Sequence, residues 1–422
     1  MRSVVRMSAI LLAGVIGGAF CLWAVYLIPV ENMQRNVEKS MDIFMEEGEN
    51  PFVLNGYKGS SLDNYTDAIM LGSAVYGEGD EPAAVRAMRV SRASGAADAP
   101  MESLATYLES RGTEGEHTDY ARYWHGYLVL LKPLLCFLDY VQIRILNGIL
   151  LIGMLSWIVL EFLKKKMWRG AAAYLLSVCS VFPMAIPFSL QFSTIFYIGN
   201  IALLLVLKGN SIWKEKDRYL LLFEIVGMCT SYLDFLTYPL FTFGMPMVMC
   251  LTLNKEYSLK DKLCFFLKNG IAWGIGYTFM WAGKWLVGSL ITGENLLTSV
   301  LGIASLRMSG QAFNESLNRI MAILRNGYIY FNMAGVILAA VVLVWIIVSV
   351  WKKRDALNVA ELLPLGMAAC MPVLWYFVMA NHSYIHYWYT FRSLAVSVFA
   401  LAMIPECIGS ETMEMERAGK GI

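Results

Sequence analysis

Apolar residues run along the chain in blocks of roughly 20, the length an α-helix needs to cross a hydrocarbon core of about 30 Å. Polar breaks separate them, so the pattern predicts helices that satisfy their own backbone groups in lipid. The first block, Met7 to Pro29, follows Arg2 and Arg6 and carries Gly14, Gly17 and Gly18, residues small enough to allow close helix approach. It has the look of a secretory signal. Its end at Tyr26-Leu27-Ile28-Pro29, with no small-x-small cleavage site, predicts an uncleaved span instead. Further blocks centre on 141–163, 168–187, 193–208, 219–235, 238–254, 264–291, 331–351, 361–380 and 390–406. The expected fold is all-α and polytopic, with about ten transmembrane helices and a large first loop. In domain terms, 1–29 is the first span, 30–138 a large extracytoplasmic loop with juxtamembrane helices, and 139–422 the remaining bundle. That bundle carries outer loops near 231–238, 292–330 and 381–392.

Composition agrees: 57% of the 422 residues are hydrophobic, mean hydropathy is +0.53, and a soluble enzyme or a disordered regulator is excluded as a first reading. A net charge of +1, with no basic block, leaves no footprint for nucleic acid. The eight cysteines lie in or beside apolar runs and none falls in 31–122, so they read as packing residues without a disulfide framework.

Charge sets the expected orientation. With a cytoplasmic N-terminus, the inner loops hold Lys164-Lys165-Lys166 with Arg169, then Lys208 with Lys214, Lys216 and Arg218. Lys255 with Lys260 and Lys262, and Lys352-Lys353-Arg354, complete them. This satisfies the positive-inside rule at every inner loop and predicts a multi-pass protein of the plasma (inner) membrane. All four histidines, His117, His125, His382 and His386, then fall on the outer side or its border.

The outer segments carry the candidate chemistry. Glu31–Glu47 has helical apolar spacing at Met33, Val37, Met41, Ile43 and Phe44, expected of a helix on the bilayer surface. In Leu62-Asp63-Asn64-Tyr65-Thr66-Asp67 a helix start is expected, with Asn64 as N-cap and Asp67 completing a capping-box-like pair. An aspartate there, Asp67 or Asp63, can also take a proton from a hydroxyl. Arg86, Arg89 and Arg92, spaced by three, would share a helix face toward phosphate, or sit in a solvated loop. Arg122, Tyr123, Trp124 and His125 mark either an interfacial anchor or a contact surface for a lipid-linked substrate. Asp234, near the end of a span, needs a partner, a wet cavity or a helix break, and Lys284 is a candidate partner. Glu224 and Lys268 read as snorkelling residues. His382 and His386 share a helix face but lack further ligands for zinc. With Arg392 they form a polar rim suited to phosphate oxygens.

Taken together, Leu62–Asp67, Tyr123-Trp124-His125-Gly126, Asp234–Pro239 and Asn381–His386 resemble a bacterial GT-C-class glycosyltransferase, a polytopic enzyme using polyprenyl-phosphate sugar donors. The resemblance implies transfer of a sugar to a cell-envelope acceptor on the outer face, with the prenyl tail between spans. Asp67, or else Asp63, would be the catalytic acid of the first loop, acting as base or contacting a divalent cation. Arg392, His382 and Lys284 would stabilise the departing phosphate. The acid lies roughly 30 residues later than that class usually places it. A lipid-linked-oligosaccharide flippase or transporter, or a non-catalytic subunit of an envelope polysaccharide system, is the alternative.

Overall fold

A computed structural model describes residues 2–77, 81–95, 99–110, 116–214, 217–312, 315–352 and 358–407. Lys216, Lys353 and Arg354, three of the predicted inner-loop cations, lie outside these. Among the described residues the chain is helical apart from two small two-stranded ribbons. Every predicted span position holds a helix. Among the described residues six helices are long and apolar enough to cross a membrane: Ser3–Val25, Tyr140–Lys164, Leu190–Trp213, Met333–Lys352, Val359–Val378 and Tyr387–Cys407. The protein is therefore an all-α chain with several membrane-capable helices, suited to a lipid bilayer. The other expected spans differ in kind. Trp168–Ser180, Arg218–Leu233 and Leu240–Leu253 have 13, 16 and 14 residues, about 20–24 Å at 1.5 Å per residue. Leu259–Thr292 has 34 residues and carries Lys260, Asp261, Lys262, Lys268 and Lys284.

The bundle closes tightest where Arg218–Leu233 crosses Leu259–Thr292. A Cβ at Gly227 would stand 2.1 Å from the Trp273 carbonyl oxygen, and one at Gly276 would stand 2.1 Å from that of Glu224. Only glycine lets the two backbones touch. Glu224 is consequently fully buried at this crossing, and neither of its oxygens has a partner among the described residues. The snorkelling expectation fails for Glu224, while Lys268 is exposed. On the first helix Gly14 and Gly18 abut Met228 and Tyr232, whereas Gly17 meets nothing.

The 31–138 segment folds onto the first helix as a second core, in which Met33, Val37 and Phe44 pack with Leu71, Met88, Leu104 and Trp124. The expected surface helix is two helices, Glu31–Glu38 and Met41–Glu47. Asn64–Val75 is buried along most of its length. Its N-cap is Asp63, not Asn64: the carboxylate accepts from Thr66 N–H at 3.1 Å and Thr66 Oγ1 at 3.0 Å. Arg86 and Arg89 close the helix Ala83–Arg89, but Arg92 lies beyond it on strand Arg92–Ser94, paired with Glu116–Thr118. The three arginines share no helix face.

This segment is locked to the bundle by a polar brace. Arg144 donates twice to Glu47, both at 2.8 Å, and once to Asn64 Oδ1 at 2.8 Å, with its guanidinium 4.3 Å from the Tyr140 ring centre. Asp67 accepts from Tyr140 Oη at 2.5 Å, Leu190 N–H at 2.9 Å and Gln191 N–H at 3.3 Å. It thereby caps the start of Leu190–Trp213, where a carboxylate meets the positive end of the helix dipole. The eight cysteines are free, five of them on exposed helix faces.

Candidate functional site

A cavity of about 530 Å³ opens where segments distant in sequence meet. The start of Asn64–Val75 contributes Asp63, Tyr65 and Thr66, strand Glu116–Thr118 contributes Thr118, the turn after it contributes Asp119, Tyr120, Arg122 and Tyr123, and Leu190–Trp213 contributes Gln191. Opposite stand Phe235, Arg307, His382, His386, Trp388 and Tyr389, and Arg92 completes the wall. Tyr120 and Phe235 stack at 6.0 Å between ring centres, and Tyr123 meets Phe235 edge-on at 5.6 Å.

Of the residues expected at a site, Asp63, Arg122, Tyr123, His382 and His386 line this cavity. The first loop and the C-terminal turn therefore do converge. The other six lie elsewhere, each for a visible reason. Asp67 is fully buried and its oxygens are taken up by the brace. Arg392 is also fully buried; it donates to the carbonyls of Gly59 at 3.2 Å and Trp388 at 3.0 Å and lies 3.9 Å from the Phe192 ring centre. It ties the C-terminal helix to the first segment and does not reach phosphate in the cavity. Lys284 donates to Met88 O at 2.8 Å, capping the short helix Ala83–Arg89, and makes no pair with Asp234. Asp234 instead accepts from Thr237 N–H at 2.8 Å and from Thr237 Oγ1. Trp124 donates to Met280 O at 2.7 Å. His125, at φ +55°, bonds Tyr120 O at 2.7 Å and Tyr127 Oη at 3.1 Å. The sequence placed all six near a membrane border, and the fold spends each of them on a backbone group.

Sequence reasoning missed Arg307, Gln191, Trp388 and Tyr389 as site residues. Gln191 sits in a run that reads as a span. Arg307 sits in the last turn of the apolar helix Leu296–Met308, within a segment read only as an outer loop. Arg122 lies 4.8 Å from the Tyr120 ring centre, and Arg307 donates to His386 Nε2 at 3.3 Å. Ion pairs among the described residues involve Arg89, Arg144, Lys164, Lys214 and Lys262. Neither Arg122 nor Arg307 is among them, so both guanidinium groups stand in a cavity without a carboxylate partner.

Burial tunes the titrating groups. The Asp63 carboxyl is pushed up from 3.8 to about 6, chiefly by desolvation and against the Thr66 hydrogen bonds. Asp67 rises to about 7, again by burial, against its bonds to Tyr140 and Leu190. Burial with Arg307 alongside lowers His386 to about 3. His382 is held well below its usual value by burial, then by His386 and Arg307. Both cavity histidines are neutral near pH 7.

A metal fits poorly. Among the described residues no three His, Cys, Asp or Glu side chains gather as ligands, and the Asp63 oxygens are engaged by Thr66. The arrangement suits a polar, anionic ligand with a ring face: guanidinium forks for phosphate, aromatic planes for a ring and a carboxylate for a hydroxyl. Beside the cavity an apolar groove is lined by Met70, Leu130, Leu134, Ile143 and Leu190. Ile69 and Gln191 of the cavity are chain neighbours of Met70 and Leu190 of the groove, so both spaces share two helices as walls. Comparison of the chain with protein-family models, with curated proteins and with solved structures gives no match.

Proposed function

We propose that the protein is a membrane glycosyltransferase of GT-C-like character, with about ten spans, in the plasma membrane with its N-terminus in the cytoplasm. It would move a sugar from a polyprenyl-phosphate donor to an acceptor on the outer face. One observation carries this reading: two guanidinium groups with no carboxylate partner among the described residues share a ring-lined cavity with a buried carboxylate, beside an apolar groove suited to a prenyl chain. Arg122 and Arg307 would hold the donor phosphate, with Arg92 nearby. Asp63 takes the role that the sequence assigned first to Asp67. The acceptor oxygen attacks the anomeric carbon as the bond from that carbon to the phosphate oxygen breaks. The bonding pair leaves with the lipid phosphate, and the hydroxyl proton passes to Asp63. A carboxyl near 6 is close to the working pH, where a base is most effective.

The test is transfer from a defined polyprenyl-phosphate sugar in proteoliposomes. Asp63→Asn keeps the helix cap, since Asn caps as well as Asp, and should lower the rate by ~100-fold or more. Full activity in that variant ends the assignment. Transport of a lipid-linked saccharide is the second reading, favoured by Glu224, whose buried oxygens have no partner among the described residues. If Glu224→Gln abolishes saccharide translocation and no transfer occurs, that reading replaces the first.

A further inference from the structure

We infer that Asp234 is a positioning residue that fixes the tautomer of His382, and that His382 Nδ1 thereby stands in the cavity wall as the acceptor for a substrate hydroxyl. The hydroxyl's identity as part of a sugar rests on the transferase reading; the tautomer does not.

The chain leaves Arg218–Leu233 at Asp234 and re-enters a helix at Leu240. Between them Leu236 has φ +73°, a left-handed conformation that a branched side chain rarely adopts. Asp234 holds it there. Its carboxylate accepts from Thr237 N–H at 2.8 Å and from Thr237 Oγ1, closing an Asx-type turn around Phe235 and Leu236. The turn aims the Leu236 carbonyl at His382 Nε2, 2.7 Å away. A carbonyl only accepts, so Nε2 carries the hydrogen and Nδ1 of the neutral ring keeps a lone pair.

The surroundings keep the ring neutral. His386 lies 4.9 Å away between ring centres, Arg307 donates to His386 Nε2 at 3.3 Å, and Tyr389 packs at 6.1 Å. A second proton on His382 would face that guanidinium in a buried place. Nδ1 has no hydrogen-bond partner among the described residues, although His382 lines the cavity. A buried acceptor left in this way is costly until a donor arrives. His386 is the complement. Because its Nε2 accepts from Arg307, its neutral ring carries the hydrogen on Nδ1, which also has no partner. One acceptor and one donor on neighbouring turns match a ring whose hydroxyls both donate and accept. An ammonium in that place would face Arg307, so the part of the ligand that meets these two nitrogens is a neutral, hydroxylated ring.

The chain has only four histidines, so ¹⁵N-histidine NMR of the full protein in nanodiscs, assigned with His382→Gln, reads the tautomer directly. His382 should be the Nε2–H form and should not titrate between about pH 5 and 8. Asp234→Ala should release Leu236, mix the two tautomers and bring His382 into titration, with Thr237→Val giving a smaller shift the same way. Asp234→Asn, which keeps an acceptor oxygen, should restore the single form. A soluble hexose 1-phosphate should move the His382 Nδ1 resonance while inorganic phosphate does not. A protonated or Nδ1–H His382 at pH 7 overturns the proposal, as does an unchanged His382 in folded Asp234→Ala and Thr237→Val. Equal shifts with phosphate alone overturn the hydroxyl assignment. The tautomer is read without turnover, so absent transfer would sink the transferase reading and leave this result standing.

Discussion

Two aspartates four positions apart on one helix start meet opposite fates. Asp67 points into the brace, where Tyr140 and the first amides of Leu190–Trp213 take up its oxygens. Asp63 caps its own helix and stands in a cavity wall. The same contrast separates the cations: Arg144 is neutralised by Glu47, whereas Arg122 and Arg307 have no carboxylate among the described residues. The brace spends its charges on holding the first segment to the bundle. The cavity keeps them for a ligand.

Breaking the brace should produce the largest change in stability. Arg144→Met takes the cation from Glu47 and the donor from Asn64 Oδ1 and should cost ~3 kcal/mol, read as a lowered thermal midpoint in detergent, whereas Asp63→Asn should not lower that midpoint. If both variants melt alike, the division between brace and cavity is wrong. Activity should show the reverse order, with Asp63→Asn inactive but folded.

A smaller effect sharpens the comparison through pH. Both carboxyls titrate higher in the folded protein than the ordinary 3.8, Asp63 at about 6 and Asp67 at about 7. The folded state therefore holds these protons longer than the unfolded chain does, and each carboxyl's contribution to stability falls as pH rises from about 4 to its folded value. Relative to the native chain, Asp67→Asn should gain stability as pH rises through about 4 to 7, with Asp63→Asn changing over the narrower window to about 6. On the proposed mechanism, in which the Asp63 carboxylate accepts the hydroxyl proton, transfer should instead rise with pH to a plateau above about 6. A pH-independent stability difference for Asp67→Asn would contradict the burial argument.

The smallest expected effect is at the arginines. Arg122→Gln and Arg307→Gln should each weaken binding of a phosphate-bearing ligand by ~10-fold or more, measured by titration, with the melting temperature unmoved. Equal weakening by Arg392→Gln, without loss of stability, would restore the role that the sequence gave it.

Helical architecture was legible because a 20-residue apolar block has few other solutions in lipid. The short helix Trp168–Ser180 was read as longer, over 168–187, because hydropathy continues past Phe182, where the backbone turns left-handed. The site was only partly legible. Local aromatic and histidine-rich motifs pointed to Arg122, Tyr123, His382 and His386. No local pattern tells an arginine that clamps a backbone carbonyl, such as Arg392, from one that faces a cavity, such as Arg307. That distinction is made by convergence of distant segments. Asp67 was preferred to Asp63 for the same reason: which one is consumed depends on where Tyr140 and Leu190 arrive.

The most direct measurement is cryo-electron microscopy of the full protein with a polyprenyl-phosphate sugar added. Head-group density should lie within hydrogen-bond reach of Arg122 and Arg307, with the sugar toward Asp63 and His382 and the chain in the Met70–Leu190 groove. Density for the phosphate at another place on the protein, with this cavity empty, would contradict the account.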